Sequence, residues 1–187
     1  MKQKDQVTIQ FCGFGGQGIV LSSVIFGTTA VLHSGMNAVQ TQSYGSEARG
    51  GECQAELILS QEPIKSPLAD QLDILVAMSQ PALNQYLKRL KPGGTLIFDP
   101  EYVFRPDRSD IRVISVPATD SAGQLGNKIV ANMYMLGFIQ QLTGLISADG
   151  LLDVISNNVP QRYIELNLKA AQAGMALAKE MNLAGED

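Results

Sequence analysis

The chain has 187 residues, 45% of them hydrophobic and 17% charged, which suits one globular domain over residues 1–187 with a substantial core. Its net charge of −4 and lack of a Lys/Arg cluster exclude sequence-independent nucleic-acid binding and disfavour an anionic membrane surface. Two cysteines, Cys12 and Cys53, and one histidine, His33, are too few for a four-thiolate iron–sulfur site, or for a four-ligand zinc site without carboxylates.

Residues 7–12 are nearly continuous in apolar and β-forming side chains, as in a strand covered on both faces. The turn Gly13-Phe14-Gly15-Gly16-Gln17-Gly18 follows, and an apolar helix is predicted over Ile19–Ser34, stopped by Gly35. Strand, glycine turn and helix in that order gather backbone N–H groups and the positive end of a helix at one spot. The glycines at 13, 15 and 18 fit the G-x-G-x-x-G spacing.

From Gln6 to Ser46 there is no Lys, Arg, Asp or Glu. Gln10, Gln17 and the early glycines interrupt this run, so a packed turn explains it better than a signal peptide or a membrane span, and a soluble, cytoplasmic protein is expected. A helix without a charged face is normally buried all round. The first helix is therefore expected to be covered, by other helices or, preferentially, by a partner chain.

A short second strand is predicted over residues 36–40. It leads into a polar, glycine-containing loop with Ser43, Tyr44, Gly45, Arg49 and Gly50. If the first two strands are parallel, this loop emerges at the same sheet edge as the glycine turn, where ligands of doubly wound sheets bind. A third strand over residues 54–60 should lie near an edge, because Glu56 should stay wet.

Residues 73–78 form the clearest strand, followed by a helix opened by Ser79-Gln80-Pro81 and ended near Lys91-Pro92-Gly93-Gly94. Strands over 95–98 and 111–116 complete a β–α–β–loop–β pattern, with Asp99, Glu101, Asp107 and Asp110 expected on a solvated loop. The remainder is helical: residues 127–142 with apolar positions 129, 130, 133, 136 and 139, a short helix after Ser147, and a last helix opened by Pro160. The pattern predicts an α/β, Rossmann-like doubly wound, mainly parallel sheet with a helical C-terminal part.

Dinucleotide binding needs an acidic residue about 20 positions after the turn, but Asn37, Ala38, Val39 and Gln40 occupy that zone. No Gly-Lys-Ser/Thr follows the turn, so Walker-type phosphate binding is unsupported. His33 is a helix length from the glycine corner, which separates it from Ser43 and Ser46 as a catalytic dyad. The glycines also admit a purely structural role, letting helix and strand approach closely. A free-standing Rossmann-like nucleotide-binding module remains the alternative.

The two glycine segments together, Gly13-Phe14-Gly15-Gly16-Gln17-Gly18 and Gln42-Ser43-Tyr44-Gly45-Ser46-Glu47-Ala48-Arg49-Gly50-Gly51, strongly resemble the gamma subunit of 2-oxoacid:ferredoxin (acceptor) oxidoreductases. The pyruvate, 2-oxoglutarate and ketoisovalerate enzymes share this module, and indolepyruvate oxidoreductases carry a related one. The resemblance implies a multi-subunit enzyme that oxidatively decarboxylates a 2-oxoacid to an acyl-CoA and CO2. It implies alpha and beta, and in some members delta, subunits as partners and ferredoxin or another acceptor reached through the complex. Thiamine diphosphate, Mg2+, iron–sulfur clusters (4Fe–4S) and coenzyme A are then expected in the complex, with none of the cofactors on this chain and no catalytic residue on it. No G-D-G…N thiamine motif is present. By the same resemblance Gly13, Gly15, Gly16, Gln17, Gly18, Ser43, Tyr44, Gly45, Arg49 and Gly50 are expected to contact coenzyme A or partner chains.

Overall fold

A computed structural model describes residues 6–44 and 51–181. Six strands form one sheet: β1 (Gln6–Phe14), β2 (Asn37–Tyr44), β3 (Glu52–Ser60), β4 (Leu72–Ala77), β5 (Leu90–Phe98) and β6 (Arg112–Ser115), in the order β2-β3-β1-β4-β5-β6. Strands β1, β4, β5 and β6 are mutually parallel, while β3 runs antiparallel to both of its neighbours, β1 and β2. The expected α/β architecture is therefore present, with a mixed, mostly parallel sheet.

Alternation along the strands splits the core in two. Val7, Ile9 and Phe11 of β1 join the larger cluster, with Leu57 and Leu59 of β3, whereas Cys12 joins a smaller one with Leu75, Leu83 and Leu96. The larger face carries α1 (Ile19–Ser34), α3 (Ala118–Gln124), α4 (Ala131–Thr143), α5 (Ala148–Asn158) and α6 (Ile164–Glu180). The smaller face carries α2 (Gln80–Tyr86).

Helix α1 begins and ends where the sequence indicates, with Gly35 at φ 64° as its left-handed stop. The helix buried all round is α4, whose residues Ala131 to Gln140 are all buried. Helix α1 is covered on the sheet side and by α5, but Val31 and Leu32 are 47% and 69% exposed. Gly137 of α4 and Gly174 of α6 lie against each other's helix backbone, which lets these two helices pack closely.

Four expectations need correction. Strand β3 is internal, and Glu56 is 5% exposed: the Arg89 guanidinium meets its carboxylate at 2.7 Å, so charge pairing rather than water satisfies it. Asp99 is likewise buried rather than solvated, accepting hydrogen bonds from the Thr119 amide and hydroxyl at 2.8 and 2.6 Å. Those bonds supply the N-terminal cap of α3 from another element, so the helix has no local signal for its start and was not foreseen. Lys91-Pro92-Gly93-Gly94 belongs to β5, with Gly93 at φ 72° carrying the irregularity. Ile129 does not share the buried face of α4; it precedes the helix in a single 3₁₀ turn and is 64% exposed.

Candidate functional site

Because β3 reverses direction twice over, β1 and β2 point the same way although they are not neighbours. The C-terminal ends of β1, β2, β4, β5 and β6 consequently share one rim of the sheet. The glycine turn after β1 and the segment after β2 emerge there together. A backbone hydrogen bond from the Gly15 amide to the Gly51 carbonyl, 3.0 Å long, ties the two segments at that rim.

The corner is closed by its own side chains. The Gln17 amide oxygen accepts from the Phe14 N–H at 2.7 Å, and its nitrogen donates to the Met78 carbonyl at 2.9 Å, bridging the ends of β1 and β4. Gly13 is buried, and a Cβ there would collide with the Gln17 amide and, at 2.9 Å, with Ile19. Gly18 starts α1 at φ 72° and lies against the Asn132 side chain of α4, whose amide donates to the Gly18 carbonyl at 3.5 Å. A left-handed backbone at that position favours glycine. The remaining glycines of the turn are the exposed tip: Gly15 and Gly16, the latter at φ 96° with open space around it.

Ser43 is exposed near the end of β2. The backbone of Tyr44 closes β2 opposite Cys53. Gly45, Arg49 and Gly50 lie outside the described residues. The geometry thus brings Gly15, Gly16, Ser43 and the ends of the second loop to one rim, and places Gly13, Gln17 and Gly18 beneath the tip as its support.

Beside the tip is a recess of about 220 Å³ lined by Gln17, Met78, Tyr102, Thr119, Lys128 and Ile129. Lys128 donates to Glu101 at 3.2 Å, and this hydrogen bond holds the ammonium above the usual lysine range. Exposed Tyr102, Phe104 and Ile129 give this part of the rim an apolar character. Phe104 is anchored by its N–H donating to Gln80 at the start of α2, at 2.7 Å. Tyr102 and Lys128 belong to no motif in the sequence, and position 129 falls in the apolar spacing of a helix, so none of the three stands out from sequence as a rim residue. Asn132 and Gln17 had no sequence signal for their packing partners.

The other reactive groups stand apart from the rim's chemistry. His33 pairs with Asp153 of α5 at 3.2 Å, at the far end of α1 from the corner. Cys12 and Cys53 are both buried, in the two separate core clusters, and burial raises the pKa of each thiol. Thiols on opposite faces of a sheet do not fit a shared cluster. Among the described residues no three His, Cys, Asp or Glu side chains converge to hold a metal ion, and no helix is long and apolar enough to cross a membrane.

The model of the pyruvate ferredoxin/flavodoxin oxidoreductase family matches residues 8–177. The 2-oxoglutarate synthase subunit KorC of Methanothermobacter marburgensis is 45% identical over 179 residues, which is 92% of this chain and 96% of that protein. A crystal structure of a keto/oxoacid ferredoxin oxidoreductase gamma subunit from Geobacter sulfurreducens superposes with a TM-score of 0.82 at 36% identity, covering 93% of this chain and 99% of that one. A 2-oxoglutarate:ferredoxin oxidoreductase from Magnetococcus marinus, with 2-oxoglutarate, coenzyme A and succinyl-CoA bound, gives a TM-score of 0.86 at 26% identity, with 95% of this chain matching 32% of that longer one. A match over nearly the whole length, in sequence and in fold, makes this chain a member of the pyruvate ferredoxin/flavodoxin oxidoreductase family, of the gamma-subunit type.

Proposed function

We propose that the chain serves a coenzyme A-dependent 2-oxoacid:ferredoxin oxidoreductase whose oxoacid is 2-oxoglutarate, and that it acts by presenting its glycine rim to the catalytic chains. The end-to-end likeness to a 2-oxoglutarate synthase subunit carries the choice of substrate. In the reaction the oxoacid loses CO2, the acyl group passes to the thiol sulfur of coenzyme A, and two electrons leave to the acceptor.

Thiamine diphosphate, Mg2+ and iron–sulfur clusters, which supply decarboxylation and electron transfer, are assigned to alpha and beta partner chains. The donor set of this chain does not fit a cluster, because its two thiols lie in different cores. The chain's own contribution is positional. Gln17 and Asn132 support the Gly15–Gly16 tip from below, and the Gly15–Gly51 bond ties it to the start of β3. The apolar side chains Tyr102, Phe104 and Ile129 suit a surface buried against a partner. The Arg49 guanidinium suits an anionic group, a coenzyme A phosphate or a partner carboxylate.

The alternative of a free-standing nucleotide module is disfavoured by Gln17. Its amide already takes the Phe14 N–H and fills the space beside Gly13 where a phosphate cradle would open.

Coexpression with the partner chains from the same genome tests this reading. The assembled complex should reduce ferredoxin with 2-oxoglutarate and coenzyme A, and the chain alone should be inactive. Preference for pyruvate or 2-oxoisovalerate rejects the substrate. Arg49→Ala should raise KM for coenzyme A; an unchanged KM in an intact complex rejects the coenzyme A contact.

A further inference from the structure

Asp99 follows the last residue of β5 and is fully buried, and three segments meet on it. Its own N–H donates to the Ala77 carbonyl at the end of β4, at 3.2 Å. Its carbonyl accepts from the N–H groups of Tyr102 and Val103 at 3.2 and 3.0 Å. One carboxyl oxygen accepts from the Glu101 N–H at 3.1 Å, and the other from the Thr119 N–H and hydroxyl at 2.8 and 2.6 Å. A Ser, Thr, Asp or Asn at the N-cap would start α3 locally. Pro117 stands there instead, with no side-chain cap bond. Capping from β5 does what a local cap does not: it fixes the start of α3 against the turn that carries Glu101, Tyr102 and Val103.

The residues so fixed line the recess of about 220 Å³ beside the glycine tip. Tyr102 and Thr119 bond to Asp99 directly, and Lys128 donates to Glu101 of the same turn. Gly16, Gln17 and Met78 line the recess too, where Gln17 bridges the ends of β1 and β4. The lining therefore has two anchors, Gln17 for the segments after β1 and β4 and Asp99 for those after β5 and β6. The chain leaves β1 for β2 and β3 on one side and returns to β4 on the other, so the recess lies where the strand order reverses. Ligands of open α/β sheets bind in that crevice, outside the carboxyl ends of the strands.

We propose that Asp99 is a positioning residue for the coenzyme A step. It touches no ligand. It sets where Tyr102, Thr119 and Lys128 stand relative to the Gly16 tip, and so the shape of the recess that coenzyme A meets. The proposal rests on the reading that this rim meets coenzyme A. A carboxylate suits the task because both of its oxygens accept, whereas an amide has one acceptor and one donor group. In Asp99→Asn the new NH2 faces either the Glu101 N–H or the Thr119 N–H, donor against donor, so one of the two segments loses its tie.

Steady-state kinetics of the assembled complex, with the oxoacid it prefers, test this. D99N should raise KM for coenzyme A about fivefold or more and leave kcat and KM for the oxoacid within about twofold, the pattern of lost binding rather than lost chemistry. Thr119→Val keeps the side-chain shape and the Thr119 N–H bond but removes the 2.6 Å hydroxyl bond, and should move KM for coenzyme A in the same direction by less. Thr119→Ser restores the hydroxyl and should recover most of that loss.

An unchanged KM for coenzyme A in D99N overturns the proposal, and if D99N does not assemble, T119V decides in the same way. A loss spread equally over kcat and both KM values, or a T119S as impaired as T119V, makes Asp99 a helix cap and nothing more, which also overturns it. Arg49→Ala separates the proposal from the reading beneath it. R49A that raises KM for coenzyme A beside a D99N without effect rejects Asp99 alone, whereas two variants without effect reject the rim as a coenzyme A site.

Discussion

The Gly15 amide donates to the Gly51 carbonyl at 3.0 Å, so the glycine turn and the far end of the second loop form one structural unit although 36 positions separate them. The unit depends on Gln17, which fixes the turn from below through Phe14 and Met78. Gln17→Ala removes both bonds and leaves a partly buried donor and acceptor unpaired, at a cost of about 1–3 kcal/mol each. Amide exchange at Gly15 should then accelerate, because the tip it belongs to loses its anchor. A Gly15 amide as slow in Q17A as in the parent would show that the two loops hold without Gln17.

Gly13→Ala tests the same corner from the other side. Its new methyl group meets the Gln17 amide, a flexible end, but also Ile19 at 2.9 Å and Met78 Cβ at 3.2 Å. The single variant should lose about 1–3 kcal/mol by overpacking. In the G13A/Q17A double variant one of the three clashes is gone, so the combined loss should fall short of the sum by at least about 0.5 kcal/mol. Strict additivity in urea unfolding would mean that Gln17 does not occupy the space beside Gly13.

The α4–α6 crossing admits no side chain at its centre. A Cβ at Gly137 would strike the Ala171 carbonyl, and one at Gly174 the Tyr134 carbonyl. These are backbone atoms within helices and cannot step aside as a side-chain tip can. Gly137→Ala and Gly174→Ala should each destabilise by more than ~3 kcal/mol or prevent folding, in contrast to the gain of about 0.5–1 kcal/mol expected from Gly→Ala in an unpacked helix. Gly123→Ala in α3, whose nearest neighbour is the Lys128 stem at 3.5 Å, is the control and should be neutral to stabilising.

The pair between Glu56, buried in β3, and half-buried Arg89, just before β5, behaves differently from a surface bridge. Arg89 reaches Glu56 at 2.7 Å and Gln10 at 3.0 Å, and donates to the Ala69 carbonyl at 2.5 Å. Arg89→Met strands the carboxylate in the sheet and should cost about 3–5 kcal/mol, whereas R89M combined with Glu56→Gln should recover part of that loss. A double variant less stable than R89M alone would show that the carboxylate is satisfied without Arg89.

Much of this architecture is legible in the chain because it is local. Periodicity and stop signals place α1 to the residue, since Gly35 and the glycine corner punctuate it on both sides. Ser79 and Ser147 cap α2 and α5 through their own neighbours, Ala82 and Gly150. Non-local contacts account for the misses. Asp99 caps α3 from 20 positions upstream, and Glu56 is sheltered by Arg89, 33 positions away, so neither position reads as buried in its own window. The shared rim of the two glycine segments follows from sequence only by assuming parallel strands. The structure reaches it by interposing β3, an arrangement that strand periodicity does not encode.

Alkaline conditions should weaken the fold through its thiols. Burial raises Cys12 far above its ordinary value of 9.0, with the Glu52 charge adding to the effect, and burial also raises Cys53. In the folded state the Cys12 thiol keeps its proton and Cys53 holds its own more tightly than in the unfolded chain, where thiols release their protons once the pH passes about 9. The folded state then binds more protons than the unfolded one, so stability is fully present below pH 9 and falls as pH rises, by up to ~1.4 kcal/mol per unit for each thiol that titrates only on unfolding. Cys12→Ala should lower stability at pH 7 modestly through lost packing, and should flatten the decline between pH 9 and 10.5. Urea midpoints across that range, in parent and variant, provide the comparison. Parallel slopes would mean that the Cys12 thiol ionises as readily in the folded protein as in the unfolded chain.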